Sequence, residues 1–409
     1  MKTFLARLVC AAVCLSPAGA SMQPPAASWP QWRGPNRDGV ASSAITSWPE
    51  RLTLKWKVPA GAGYSTPIVA AGRVFVHARI DERETVTALD AATGKTAWQQ
   101  AHAAPYRVNP AAVSHGPGPK SSPAYADGRL YTFGISGILS CFDAASGKVL
   151  WRTQPMPGAP EFGTATSPIV VDGVVTVFAG STVKGALVGL DALTGSVRWK
   201  ADVGAPAYAS PVLAVLAGVR QLVTQSRTHV EGIGVQDGRL LWQVPLTTPY
   251  DQNSVTPLIA GDLVIYSGLE AGTSAVRIVR RASGLIAEPV WKNPDVSMYM
   301  STPVQAGPAI VGMSHRNRGQ FFALDLKTGK TLWTTRGREA DNAALLRVPG
   351  FTLIQTTDGQ LVVARDSTSA FDVVRRYDIS DSATWAHPAL VGDELFVRDA
   401  NSVAKWQIR

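Results

Sequence analysis

The chain is poor in cysteine. Of its 409 residues only three are cysteines, and two of these, Cys10 and Cys14, fall within the first 20 positions. Cys141 is alone in the rest of the chain, which excludes an intramolecular disulfide there. No Cys-x-x-Cys-His motif is present, which excludes c-type haem attachment. Cys141 occupies a small-residue position of a repeat described below, so we expect a buried, unreactive thiol.

Long apolar runs are also missing. No stretch after residue 20 approaches 18 uninterrupted apolar residues, so we predict no transmembrane span. The start of the chain has the pattern of a secretory signal peptide, with Lys2, Arg7, an apolar run over 8–15 and small residues before the cleavage point. We expect cleavage after Ala20 and a periplasmic or secreted protein. Cys14 follows a valine, which does not suit lipoprotein processing.

Acidic residues are scarce, and no pattern typical of a catalytic or metal site is present. There are 30 Asp and Glu against 39 Lys and Arg, a formal net charge of +9. No basic run is interleaved with aromatic residues, which argues against nucleic-acid binding. The six histidines follow no metal-binding spacing, and no calcium-loop pattern occurs. We therefore assign no metal ligand and no catalytic residue.

Glycine, proline and apolar residues are plentiful. The chain has 37 Gly and 28 Pro, and 45% of its residues are apolar, which provides for a large core and excludes wholesale disorder. No segment sustains a 3.6-residue apolar period. A turn-rich, charge-poor, aliphatic chain of this kind is typical of a closed all-β architecture.

A nine-residue motif recurs along the chain and has a structural explanation. An Asp stands eight residues, and a Gly four residues, before a Trp in four copies: Asp90, Gly94, Trp98; Asp143, Gly147, Trp151; Asp191, Gly195, Trp199; and Asp325, Gly329, Trp333. The Asp suits backbone N–H groups in a tight turn, and the Gly suits a positive φ. We expect a hairpin whose Trp packs against the neighbouring unit. Looser copies end at Trp242, Trp291 and Tyr377, with 42 to 53 residues between successive copies, the length of a four-stranded propeller blade.

A Ser/Thr-Pro pair or a variant of it opens each unit, and there are eight such units. The prediction is therefore an eight-bladed β-propeller of four-stranded antiparallel blades. The last unit has residues for only three strands, so we expect 52–58 to supply its fourth strand and close the ring. The unit around 342–377 is degenerate, and the sequence leaves open whether it forms a full blade. The expected organisation is a signal peptide over 1–20, an extended segment over 21–51 and one propeller domain over 52–409, as a monomer.

The Asp-Ala-x-Thr-Gly-Lys-x-x-Trp repeat resembles the PQQ-type β-propeller repeat of quinoprotein dehydrogenases and BamB-like propellers. The run WPQWRGPN at 29–36 also resembles the start of many exported PQQ-like propeller proteins. The resemblance covers about residues 29–409 and implies the fold. It does not imply an activity, because the repeated residues are the structural ones.

Three functions are open at this point. The first is a non-catalytic binding or scaffold propeller that takes a protein, peptide or small molecule at one mouth of its channel. The second is a PQQ-dependent alcohol or sugar dehydrogenase, for which the resemblance implies PQQ with Ca²⁺. The third is a binder of carbohydrates or small metabolites. The vicinal cysteines and long insertions of the alcohol dehydrogenases are missing, so we favour the first function.

The segments that lead into each unit are where the repetition stops, and they suggest the binding mouth. In an up-and-down blade these segments share one end with the loops between the second and third strands. Their aromatic, His, Arg and other polar residues predict a ligand or partner site at that end. An alternative is that the aromatics only plug the channel. The predicted mouth residues are Tyr64, His115, Lys120, Tyr208, Arg227, His229, Tyr250, Asn253, Tyr299, His315, Arg316, Arg318, Trp385 and His387.

Overall fold

A computed structural model describes residues 28–43 and 45–409; the predicted signal peptide lies outside the described residues. The described part contains eight sheets of four antiparallel strands each. This confirms the eight-bladed propeller. No helix in the described ranges is long and apolar enough to cross a membrane.

The strands follow the blades in chain order. Blades 1 and 2 contain β2 (Ile68–Ala70), β3 (Arg73–Ile80), β4 (Arg83–Asp90), β5 (Thr96–Ala103), β6 (Ala124–Ala126), β7 (Arg129–Phe133), β8 (Leu139–Asp143) and β9 (Val149–Thr153). Blades 3 and 4 contain β10 (Ile169–Val171), β11 (Val174–Gly180), β12 (Gly185–Asp191), β13 (Val197–Ala201), β14 (Val212–Leu216), β15 (Val219–Gln225), β16 (His229–Gly234) and β17 (Leu240–Pro245). Blades 5 and 6 contain β18 (Leu258–Ala260), β19 (Leu263–Gly268), β20 (Gly272–Arg281), β21 (Gly284–Asn293), β22 (Val304–Ala306), β23 (Ala309–Ser314), β24 (Gln320–Asp325) and β25 (Thr331–Thr334). Blades 7 and 8 contain β26 (Ala343–Val348), β27 (Phe351–Thr356), β28 (Gln360–Arg365), β29 (Asp372–Asp378), β30 (Ala389–Val391), β31 (Glu394–Arg398), β32 (Ser402–Gln407) and β1 (Thr53–Pro59).

Short 3-10 helices interrupt the loops at Pro110–His115, Pro249–Asp251 and Arg316–Arg318.

The ring is closed by β1, as the sequence predicts. This strand is the outermost one of blade 8 and pairs antiparallel with β32, from Thr53 opposite Gln407 to Pro59 opposite Ser402. Closing the last blade with the first strand ties the two ends of the propeller together, so that no gap separates blades 8 and 1. Blade 7 is complete as well, since β26 to β29 form a full four-stranded sheet.

Burial follows the position of a strand within its blade. The second strands are covered by neighbouring blades on both faces and read as apolar runs, such as Val174–Gly180, which is buried throughout. The outermost strands, such as Thr96–Ala103, are largely exposed. Cys141 lies in β8, the third strand of blade 2, where it is buried, and burial raises the pKa of its thiol to about 11.

The motif Trp joins most blades to the next one, whereas Trp242 of blade 4 donates to Gln221 of its own blade. Trp98 donates its indole N–H to the carbonyl of Ala144 in blade 2, at 3.0 Å. The same ring covers Gly147, where an added Cβ would lie 2.6 Å from it and where φ is +76°. Larger residues at Gly147 would meet both the ring and the left-handed backbone. The same pairing joins Trp56 to Gly94, Trp151 to Gly195, Trp199 to Gly238 and Trp291 to Gly329.

The motif Asp organises the hairpin itself. Asp143 accepts the N–H of Ser146 at 2.8 Å and its hydroxyl at 2.6 Å, and these hydrogen bonds lower the pKa of the carboxyl. The predicted structural role of the motif is thus present in atomic detail. The hairpins lie at the end of the propeller where β2 turns into β3, since Ala91 donates to Gly72 at 3.0 Å.

Candidate functional site at the channel mouth

One end of the central channel opens into a cavity of about 600 Å³. Nine of its 21 lining residues carry aromatic rings. The lining residues are Trp32, Tyr64, Thr66, Ala111, Ala112, His115, Lys120, Phe162, Ala165, Tyr208, Ser210, Tyr250, Gln252, Ser254, Thr256, Leu269, Tyr299, Met300, Asn342, Trp385 and His387. Eight of the fourteen residues suggested by the sequence are among them: Tyr64, His115, Lys120, Tyr208, Tyr250, Tyr299, Trp385 and His387.

The loop between blades 1 and 2 supplies one wall. The 3-10 helix Pro110–His115 begins after Asn109, whose side chain accepts the N–H of Ala111 at 2.8 Å. At its end the His115 ring stands edge-on to Trp385, with centroids 4.7 Å apart, and 6.0 Å from Tyr64. Burial, with the nearby Lys120 ammonium, lowers the pKa of His115. A neutral, aromatic corner results.

Lys120 is the one lysine or arginine that lines the cavity within the described residues. Its ammonium donates to the carbonyl of Phe162 at 2.8 Å, and burial lowers its pKa to about 8. Phe162 packs 6.2 Å from Tyr208, and burial raises the pKa of the Tyr208 hydroxyl to about 12. No Asp or Glu is among the lining residues.

Tyr250 projects over the mouth and is 82% exposed. Tyr250 and Asp251 have φ of +64° and +51°, a conformation that side chains rarely adopt. Arg227 holds this loop through an ion pair with Asp251 at 2.6 Å, and it also donates to the carbonyl of Thr182. Arg227 therefore lies beside the mouth and positions Tyr250, outside the cavity lining.

The other polar residues suggested by the sequence also lie outside the lining. Asn253 is fully buried, and its amide donates to the carbonyls of Ser226 (2.8 Å) and Leu246 (3.1 Å), so it organises the loop. His315 lies 3.1 Å from the carbonyl of Ser297 through Nδ1 and packs 6.5 Å from the Tyr299 ring. His229 begins β16 and contacts the Thr228 hydroxyl. Arg316 and Arg318 lie in the 3-10 helix between β23 and β24, where Arg316 donates to Pro294 and Arg318 is exposed.

The Ser/Thr-Pro positions form a belt of hydrogen bonds below the cavity. In successive blades the backbone N–H of the residue before the proline donates to the hydroxyl of its counterpart in the next blade. The bonds run from Thr66 to Ser122 (2.9 Å), Ser122 to Ser167 (3.0 Å), Ser167 to Ser210 (2.9 Å), Ser210 to Thr256 (3.1 Å) and Thr256 to Thr302 (3.2 Å). The repeated hydroxyl thus joins six blades around the channel.

The N-terminal segment, residues 28–43, runs through the channel beneath this cavity. It pairs with inner strands, since Trp29 exchanges hydrogen bonds with Val69 and Ala41 donates to Arg347. The Arg33 guanidinium donates to the carbonyls of Thr302 and Pro303, at 3.1 and 2.7 Å. We refer to this segment as the channel plug.

A second arginine of the channel plug reaches the opposite side of the ring. Arg37 donates to the carbonyls of Ser167 (3.2 Å), Pro211 (2.9 Å) and Pro168. Trp32 of the plug packs edge-on against His387, with centroids 5.3 Å apart, and both line the cavity. The cavity is therefore floored by the chain's own N-terminal segment. Sequence reasoning missed Trp32 because it precedes the repeats; its only signal was the unusual run at 29–36.

Comparisons with known proteins agree with this architecture. The model of the family "Outer membrane protein assembly factor BamB" matches residues 49–116 and 82–335. The chain belongs to this family. A protein of that name from Shewanella oneidensis is 25% identical over 386 residues, covering 86% of this chain and 87% of the relative. The structure of BamB from Moraxella catarrhalis superimposes with a TM-score of 0.62 at 15% identity, covering 87% of this chain and 99% of that one.

A shorter similarity connects the chain to a quinone enzyme. The dehydrogenase subunit of the quinone-dependent alcohol dehydrogenase of Acetobacter aceti is 29% identical over 150 residues. That match covers 33% of this chain and 19% of the relative. It therefore concerns a part of the propeller that the two proteins share.

Proposed function

We propose that this protein is a non-catalytic binding module of the cell envelope that contributes to outer-membrane protein assembly by holding a partner at its channel mouth. The observation that carries the proposal is the character of the cavity. It is an aromatic recess with a closed floor, and its surroundings differ from blade to blade. Aromatic side chains that only filled the channel would be the same in every blade, whereas an asymmetric ligand needs different residues from different blades. Membership of the BamB family supports a role in assembly.

The same lining argues against quinone dehydrogenase chemistry at this mouth. Such a site needs a carboxylate base and oxygen ligands for calcium, with at least one carboxylate among them. In the described residues the cavity wall has amide and hydroxyl oxygens, from Gln252, Asn342 and Ser254, but no carboxylate. The residues present therefore do not fit PQQ with Ca²⁺, and we derive no catalytic step.

Site-specific photo-crosslinking in cells tests the proposed mouth. A photoreactive phenylalanine analogue replaces Tyr250 at the mouth in one variant and Lys95 in the opposite hairpins in the control. Both positions are exposed. We expect a discrete cross-linked partner from position 250 and none from position 95. Equal cross-linking from both positions, or cross-linking from position 95 alone, would contradict binding at the mouth.

A further inference from the structure

The cavity is surrounded by positive charge that no carboxylate of its own lining balances. Lys120 lies in the wall. Arg33 and Arg398 lie behind the cavity lining and are fully buried. The Arg33 guanidinium is 5.7 Å from the Trp32 ring centroid, and Trp32 forms part of the floor. The Arg398 guanidinium donates to the hydroxyl of Ser65 at 2.6 Å. Ser65 directly follows Tyr64, which lines the cavity.

The partners of these guanidinium groups are neutral. Within the described ranges, every hydrogen bond of Arg33 goes to a backbone carbonyl. Those of Arg398 go to carbonyls and the Ser65 hydroxyl. The carboxylates that interact with them through space are Asp38 and Asp399. Neither lines the cavity, and Asp399 is itself paired with Lys57 at 3.4 Å.

Buried charges of one sign act strongly on a recess that water only partly fills. Screening by solvent and salt is weak for groups inside the protein, so the field of the guanidinium groups extends into the cavity. Both arginines remain charged at neutral pH, because burial lowers their pKa only to about 10. The neighbouring His387 stays neutral, since burial and the Arg33 charge lower its pKa to about 3. An anionic group is therefore favoured in the cavity over a neutral or cationic one.

The walls and floor define the rest of the ligand. Tyr64, Phe162, Tyr208, Tyr299 and Trp385 provide apolar and aromatic surface around the recess. The channel plug closes its inner end, so a bound group ends inside the cavity and does not pass through the ring. A volume of about 600 Å³ accommodates a compact organic group of drug-like size.

We infer that the cavity binds a carboxylate carried on a compact apolar or aromatic body, with the carboxylate directed toward Lys120 and the channel plug. This inference rests on the proposed binding function of the mouth and specifies the chemistry that it recognises. The group can belong to a free organic acid or to the end of a peptide chain.

Calorimetric titration of the full-length protein at low ionic strength tests the charge requirement. The free-acid probes are 4-phenylbutyrate and its amide. The peptide probes are acetyl-Ala-Ala-Leu with a free or an amidated C-terminus. For each probe pair whose apolar body fits the cavity, we expect the acid to bind at least about tenfold more tightly than the amide. This difference corresponds to one favourable charge interaction. A preference in the first pair alone indicates a free acid, and a preference in the second pair alone indicates a chain end.

Variants of Lys120 test where the preference arises. Lys120→Met should reduce the acid-to-amide preference by about threefold or more. A smaller preference should remain from the Arg33 and Arg398 guanidinium groups, and Lys120→Arg should restore most of the loss. Lys200→Met, an exposed lysine on the outer strand of blade 3, is the matched control and should leave the preference unchanged. Restoration by arginine separates a charge effect from damage to the Lys120–Phe162 contact.

The failures of the two proposals are distinguishable. Equal binding of acid and amide would overturn the charge inference and leave binding at the mouth in place. An absence of binding by all four probes at millimolar concentration would overturn the inference as well, while the cross-linking from position 250 decides the proposed function independently. An acid-to-amide preference that is unchanged in Lys120→Met would overturn the assignment to this cavity.

Discussion

Glu231 gives the protein a stability that decreases as the pH rises. Its side chain in β16 is fully buried; Oε1 accepts the Ser226 hydroxyl at 2.6 Å, and Oε2 has no partner within the described residues. Burial raises the pKa of this carboxyl to about 8. An acid whose pKa is raised on folding stabilises the folded state while it is protonated. That stabilisation is complete below the unfolded pKa, near 4.5, and is lost as the pH increases through about 8.

The magnitude follows from the size of the shift. One pKa unit corresponds to about 1.4 kcal/mol, so the loss between pH 5 and pH 9 is about 4 kcal/mol. With an unfolding entropy of about 2 cal/mol/K per residue, this equals a decrease in melting temperature of about 5 °C for a propeller of this length. Glu231→Gln removes the titrating group and should remove this part of the pH dependence.

Thermal melts of the two proteins at several pH values between 5 and 9 measure the difference. We expect the melting temperature of the wild type, relative to Glu231→Gln, to decrease steadily above pH 5. Glu288→Gln is the control, because the Glu288 side chain is only partly buried and pairs with Arg281 on the outer strand of blade 5. Parallel pH profiles for the wild type and Glu231→Gln would refute a buried, protonated Glu231.

Three further predictions test the ring and the mouth, the second of them with a matched control substitution. Trp151→Ala removes the indole that donates to Ala192 and covers the glycine of the next blade, and it should lower the free energy of unfolding by about 3–5 kcal/mol in urea denaturation; an unchanged midpoint would contradict the joining role. Ser122→Ala leaves the N–H of Thr66 without its acceptor and should cost about 1–3 kcal/mol, whereas Ser121→Ala removes a buried hydroxyl that has no partner in the described structure and should cost less. Asp251→Asn should speed amide exchange at 250–252 with little change in melting temperature, and unaltered exchange would contradict the positioning role of its ion pair.

The repeats made the fold predictable because every blade solves the same packing problem. A Trp such as Trp98 needs a glycine opposite it in the next blade, and the hairpin that presents this glycine needs an aspartate at its start. These requirements recur at blade spacing and are visible in one sequence. The closing strand was predictable for the same reason, since the last unit lacked one strand and a strand containing Trp56 was left over at the other end.

The mouth was predictable mainly in its aromatic part. Tyr64, Tyr208 and Tyr299 stand just before an inner strand, and that position fixes which end of the channel they face. Polar residues in the same loops have a competing role, because a buried loop carbonyl needs a donor. Asn253 serves such carbonyls, and so does Arg227 in part. Sequence alone does not tell whether a loop amide or guanidinium faces the ligand or its own backbone.

The channel plug lies outside the repeats, and its importance rests on Arg33. Replacing Arg33 with methionine keeps the apolar stem of the side chain and removes the donors to the carbonyls of Thr302, Pro303 and Leu345. Hydrogen bonds from a charged group stabilise by about 1.5–3 kcal/mol each, but relief of the buried charge offsets part of their loss.

We therefore expect Arg33→Met to lower the free energy of unfolding by about 2–4 kcal/mol. We also expect faster hydrogen exchange at Trp29, whose N–H donates to the carbonyl of Val69 at 2.7 Å. The reason is that the channel plug would detach from the inner strands before the ring unfolds. Arg316→Met, which removes an exposed arginine bonded to one carbonyl, is the matched control and should leave this exchange unchanged. If Trp29 exchanges at the wild-type rate in Arg33→Met, the guanidinium does not hold the plug, and the pairing of Trp29 and Ala41 with the inner strands suffices to floor the cavity.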